Sequence, residues 1–150
     1  MDSTSTYTTI SEADEYYSVD SFEDTWNGFS NEQKLKKLVY STRHLDSMFS
    51  FQGSKYESSQ VLQFPRDFTD DDTDLGSVPE VVKQAQLELL KWLYNNNDVE
   101  PQYINNFSIA GQISVNFSDK NYENQIVPIK VIKLLKNFLL SSIVVGLIRG

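Results

Sequence analysis

The chain contains no cysteine in its 150 residues, which excludes disulfides, thiolate metal sites and a cysteine nucleophile. It has a single histidine, His44, too few for most hydrolase and zinc arrangements. Lying beside Arg43 late in a helical pattern, His44 reads as a cation suited to the negative helix end, not as a catalytic group. Basic charge is also scarce: 13 Lys and Arg face 21 Asp and Glu, for a net charge of −8. That balance argues against a nucleic-acid grip made by the surface as a whole, because phosphate binding needs clustered Lys and Arg. No basic region leads into an apolar run near Met1, so no secretory signal is expected. The most apolar stretch, Phe138 to Ile148, covers 11 residues, against about 20 for a bilayer span, so burial in an interface is expected and no membrane is invoked.

With 39% hydrophobic residues, the chain can build one domain with a real core and is too short for two ordinary ones. Charge is uneven along it. Residues 1–100 hold 8 Lys and Arg against 19 Asp and Glu, whereas residues 101–150 hold 5 against 2, so the two parts are expected to face different surroundings. The division that follows is a flexible, Ser/Thr-rich tail over 1–8, an acidic helical bundle over 9–100, and a β-ribbon plus helix or arm for assembly over 101–150. The fold class expected is mainly α.

Ser11 or Thr9 can cap a short first helix with Glu12, Asp14 and Glu15 in its first turn, and Ala13, Tyr16 and Tyr17 on one face. Phe22, Trp26 and Phe29 continue the apolar pattern to a break near Gly28, and helical spacing assigns these aromatics to the core. Ser30 and Gln33 form a capping box opening a helix from Asn31 to about Phe49, with Leu35, Leu38, Val39, Thr42 and Leu45 on its stripe. Gly53 is placed as a left-handed stop. Ser58 to Leu62 can make one turn before Pro65. A second long helix runs from Val78 to about Asn95, capped by Ser77, burying Val82, Ala85, Leu89, Trp92 and Leu93, and turning Lys83, Gln84, Glu88 and Lys91 outward.

The acidic run Asp67, Asp70, Asp71, Asp72, Asp74 invites a calcium reading. An EF-hand loop, however, needs glycine where Leu75 stands and a bidentate glutamate where Val81 stands, so a solvated acidic loop is expected, with Asp67 beside Arg66 as a weak ion pair. No metal, cofactor or catalytic group is expected. Beyond Pro101, Phe107, Ile109, Ile113, Val115 and Phe117 alternate with polar residues, as in one strand or two short strands bent at Gly111. A lone ribbon is marginal in water, and a partner in a neighbouring chain is favoured. Pro128 opens a last helix that runs into the apolar end. The candidate assembly interface is therefore Ile109, Ile113, Val115, Phe117, Phe138, Leu139, Ile143, Val144, Leu147 and Ile148.

Glu12-Ala13 with Tyr16, Trp26, Leu35 and Leu38, Thr42-Arg43 with Leu45-Asp46, Gly53, Gln60-x-Leu62-x-Phe64-Pro65-Arg66, Val78-Pro79, and Ala85 with Glu88 follow a recognisable order. Gly111 to Val115, Pro128, Leu134-Leu135 and Arg149 extend it. The ordered set resembles a tailed-phage family labelled DnaT-like single-stranded-DNA-binding proteins. Those proteins are similar in size and layout to head–tail connector adaptors, which dock as twelve-fold rings under the portal. The resemblance implies a non-enzymatic structural protein of the virion neck, assembled in the host cytoplasm. Its partners would be the portal, neighbouring copies of itself and a tail or nozzle protein, with DNA only as passing cargo. The alternative is a single-stranded-DNA-binding replication protein, in which Tyr16, Tyr17, Trp26, Tyr40 and Tyr56 stack on bases beside Lys34, Lys36, Lys37 and Arg43.

Overall fold

The computed structural model describes residues 5–67, 76–96, 104–109, 113–117 and 128–140, with the backbone alone for 104–109 and 113–117. The first helix, α1 (Ile10–Tyr17), starts at Thr9. The Thr9 hydroxyl accepts from the Glu12 N–H at 3.1 Å while the Glu12 carboxylate accepts from the Thr9 N–H at 3.3 Å. A short α2 (Glu23–Asn27) follows, and then α3 (Asn31–Met48), opened by the same reciprocal device between Ser30 and Gln33. Each box satisfies backbone donors that the first turn leaves unpaired, so α3 starts where the sequence placed it and Thr9, one of the two expected caps, opens α1.

The α3 helix ends at Met48 with Phe49 as its cap, in keeping with the expected end at about Phe49. Gly53 does adopt the left-handed region, at φ 73, but there it turns the chain into β1 (Ser54–Lys55). That strand pairs antiparallel with β2 (Arg66–Asp67). Between them the chain makes one hydrogen-bonded turn, in which the Gln60 N–H donates to the Glu57 carbonyl at 3.1 Å, and carries a cis Phe64–Pro65 bond. The expected Asp67–Arg66 pair does not form, because successive strand residues face opposite ways and Arg66 points inward while Asp67 is exposed. The Arg66 guanidinium instead donates to the carbonyls of Gln52 (2.7 Å), Gly53 (2.8 Å), Phe51 (3.3 Å) and Gln63 (3.2 Å), and to Gln63 Oε1 (2.9 Å). One side chain thus fastens the loop after α3 to the segment before β2. The other members of the acidic run, Asp70 to Asp74, lie outside the described residues.

The next helix, α4 (Glu80–Asn95), is capped by Pro79 rather than Ser77, with no side-chain cap bond. Tyr94 lies beside Lys37 while Gln86 bonds the Leu38 carbonyl and Ser41, so α3 and α4 run antiparallel. α4 is buried on more of its circumference than its apolar stripe predicted. Gln86, Leu87, Glu88 and Leu90 are interior together with Val82, Ala85, Leu89 and Leu93, because α3, α1–α2 and the C-terminal segment surround it. Glu88, expected to face solvent, accepts from the Tyr16 hydroxyl at 2.6 Å and pairs with Lys130 at 2.9 Å and Lys91 at 3.3 Å. Burial works to raise its pKa, but the Tyr16 hydroxyl and the two ammonium groups outweigh it and hold the carboxyl below the ordinary range.

The tail expected over residues 1–8 is packed where the structure describes it. Thr6, Tyr7 and Thr8 are buried. Gln86, with no exposure at all, donates to Thr6 Oγ1 at 2.9 Å and accepts from Thr8 Oγ1 at 3.1 Å. Tyr7 packs edge-on against Phe64 and its hydroxyl donates to Asp46, whose other oxygen accepts from the Gln63 N–H at 3.1 Å. Burial raises the Asp46 carboxyl above its ordinary range, and its two hydrogen bonds and the nearby Lys55 and Arg66 charges do not cancel that rise. A folded pKa above the unfolded value near 3.9 means stability present in acid and lost as pH rises through the folded value. Chemical denaturation at pH 7 and pH 4 of the wild type and Asp46→Asn should therefore move the difference in the wild type's favour on acidification; a pH-independent difference would contradict the buried carboxylate's cost.

The strands β3 (Ile104–Ile109) and β4 (Ile113–Phe117) pair with each other, Phe107 opposite Val115 and Ile109 opposite Ile113. The two short strands expected on either side of Gly111 are thus paired as a two-stranded ribbon. The last helix, α5 (Ile129–Leu135), begins after Pro128 and tightens into a 3-10 turn over Lys136–Phe138. It lies on α4, and the chain beyond it returns to the end of α3. There the Gln52 N–H donates to the Phe138 carbonyl at 2.7 Å and the Leu140 N–H to the Ser50 carbonyl at 3.1 Å. Val131, Ile132, Leu135 and Leu139 join Leu45, Phe49, Phe51, Phe64 and Val82 in one core, while Tyr17, Trp26, Leu38, Leu87 and Leu90 form a second around α1 and α2. The architecture is mainly α, a small helical bundle with a β-ribbon.

Candidate nucleic-acid interface

The aromatic side chains proposed to stack on bases separate into two groups. Tyr17 and Trp26 are fully buried, their rings 5.1 Å apart. The Tyr17 hydroxyl donates to the Leu87 carbonyl at 2.6 Å and Trp26 Nε1 donates to Asp14 at 2.6 Å. Tyr16 is half-buried and committed to Glu88. These three are core. Tyr40 (38% exposed) and Tyr56 (50%) are open.

Tyr56 sits in the turn after β1, whereas Tyr40 stands on the exposed face of α3. The spacing Lys36, Tyr40, Arg43 places these three on one stripe, since residues three and four apart are helix neighbours. Lys36 pairs with Glu32 at 3.2 Å with both side chains well exposed, a bond worth little in water. Arg43 is exposed. Beside them Lys37, Tyr40 and Ser41 of α3 meet Leu90 and Leu93 of α4 in a shallow groove. At one end of it Lys37 Nζ lies 4.8 Å from the Phe29 ring centre and 5.1 Å from that of Tyr94. At the other, His44 packs edge-on against Tyr40 at 4.4 Å. Lys34, grouped with these cations in the sequence, is buried and paired with Asp14 at 2.8 Å.

The sequence reading missed Tyr94 and Phe29 at this face. Tyr94 adjoins the apolar stripe of α4 and is 37% exposed, and its partnership with Lys37 is a tertiary contact with no local signal. Of the residues assigned to an assembly interface, Leu139 is 1% exposed inside this molecule's own core and Phe138 packs against that core. Ile109, Ile113, Val115 and Phe117 occupy the hairpin, and Ile143, Val144, Leu147 and Ile148 lie outside the described residues. Among the described residues no group of three or more His, Asp or Glu side chains could hold a metal ion, and no helix is long and apolar enough to cross a membrane.

Fold and face together describe a small acidic helical bundle that exposes one strip of cations interleaved with aromatic rings. The family model described as "Putative DnaT-like ssDNA binding protein" matches residues 2–150, and the chain belongs to that family. Comparison with curated proteins and with solved structures gives no match. The family overturns the expectation of a virion neck adaptor, since its description is single-stranded-DNA binding. It offers nothing for a portal, a ring of copies or a tail protein as partners, nor for a place in the particle neck. Among the described residues, α5 and Leu139 cover apolar surface of their own chain instead of a neighbour's.

Proposed function

We propose that this protein binds single-stranded DNA along the solvent face of α3, with Tyr40 stacking on a base and Lys36, Lys37 and Arg43 contacting the backbone. The observation that carries this reading is the position of Tyr40, a partly exposed ring packed on His44 and set among three cations of α3. Base stacking on such a ring is tolerant of sequence, and cations beside it follow the phosphates. The overall charge of −8 opposes binding at long range, so the grip is local and weakens as salt is added. The family description supports the same reading.

The test is fluorescence anisotropy of a labelled oligothymidine at low salt. Binding should fall steeply with ionic strength, and Tyr40→Ala should weaken it by about 1–3 kcal/mol, a loss that persists at temperatures well below the melting point of the variant. Absence of binding at low salt would refute the proposal.

A further inference from the structure

We propose that Lys37 is the phosphate anchor of this interface, and that Phe29 and Tyr94 serve it by holding its ammonium group in place. The inference rests on the single-strand reading above. Lys34, Lys36, Lys83, Lys91 and Lys130 each pair with a carboxylate at 2.8–3.3 Å. Lys55 donates to the Gln60 carbonyl, and Arg66 is fully engaged by the carbonyl oxygens around it. Among the described residues, Lys37, Arg43, Lys133 and Lys136 form no salt bridge with a described carboxylate. Of these, Lys37 is the one whose ammonium is fixed, over two rings that themselves meet at 5.5 Å and 72°.

The chemistry differs from that of an ion pair. A ring face attracts an ammonium through its quadrupole and leaves the positive charge uncompensated. A carboxylate partner would have to be displaced by an incoming phosphate; the rings would not. Holding a long side chain in its working position also lowers the ordering cost of binding. Phe29 and Tyr94 are themselves held, Phe29 by Trp26 at 6.2 Å and Tyr94 by Phe22 at 5.5 Å, so the perch is part of the second core. The division of labour follows: Tyr40 stacks, Lys37 anchors, and Tyr94 acts through Lys37, as a positioning residue.

The experiment is a double-mutant cycle on the full chain, read as oligothymidine affinity across a salt series. Lys37→Met keeps an unbranched chain over the same rings and removes the charge. It should lower the slope of log affinity against log salt by about 0.7, the share of one phosphate on a single strand, and Lys37→Arg should restore it. Tyr94→Leu should weaken the wild type yet add nothing in the Lys37→Met background, while Tyr94→Phe, which keeps the ring, should bind as the wild type does and so guard against a folding artefact. A slope unchanged by Lys37→Met, or an equal loss from Tyr94→Leu in both backgrounds, would overturn the anchor role while leaving single-strand binding intact. Failure of the unsubstituted chain to bind at all would remove both.

Discussion

Trp26→Ala is expected to destabilise the protein by about 3–5 kcal/mol, a loss of about 6–20 °C in melting temperature for a chain of this size. Trp26 is fully buried between Tyr17 and Phe29, so truncation leaves a cavity that neighbouring rings fixed in place cannot fill. The indole also organises charge. Its N–H donates to Asp14, and the Lys34 ammonium that pairs with the same carboxylate oxygen lies 5.1 Å from the indole ring centre. Removing the ring therefore strips support from a buried lysine as well as creating a void. Trp26→Phe, which keeps most of the volume and gives up the N–H, should cost less than half as much. Thermal melts followed by circular dichroism check both, and an alanine variant melting within two or three degrees of the wild type would contradict this packing.

Arg66→Met is expected to cost about 3 kcal/mol, because it leaves the carbonyls of Phe51, Gln52, Gly53 and Gln63 short of a donor in a place where water reaches only some of them. Arg66→Lys should recover little of that loss. A lysine offers three donors from one nitrogen and cannot span a fork of carbonyls that the guanidinium meets with three nitrogens. The loss should appear as a lower denaturant midpoint with an unchanged slope, since the change affects stability and not the surface exposed on unfolding. A lysine variant as stable as the wild type would show that the charge, and not the fork, matters.

What the sequence made legible is what short-range chemistry determines. The Ser30–Gln33 capping box was readable because donor and acceptor lie three residues apart, whereas for the first helix the sequence left Ser11 and Thr9 as alternative caps and the structure gives Thr9, in a box with Glu12. The assignment of Tyr17 and Trp26 to the core followed from helical spacing and agrees with their burial. What escaped was decided by contacts between distant segments. Glu88 read as a polar outward position, but Tyr16 and Lys130 supply partners that make its burial tolerable, and Thr6 and Thr8 do the same for the buried Gln86, which no local pattern singled out. Leu139 read as surplus apolar surface because Phe51, against whose backbone it closes in a bridge, lies 88 positions earlier in the chain. At the candidate interface Lys36, Lys37, Tyr40 and Arg43 were visible as a cluster, whereas the perch of Lys37 on Phe29 and Tyr94 required three separate elements to meet.

The most direct test of single-strand binding at α3 is a nitrogen-15 NMR titration of the full chain with oligothymidine, following every assigned backbone amide. The account predicts shift changes concentrated on residues 36–44 and on Tyr94, reversed by added salt, with the amides around Trp26 little affected. Changes confined to α5 and the hairpin, or no changes at low salt, would contradict it.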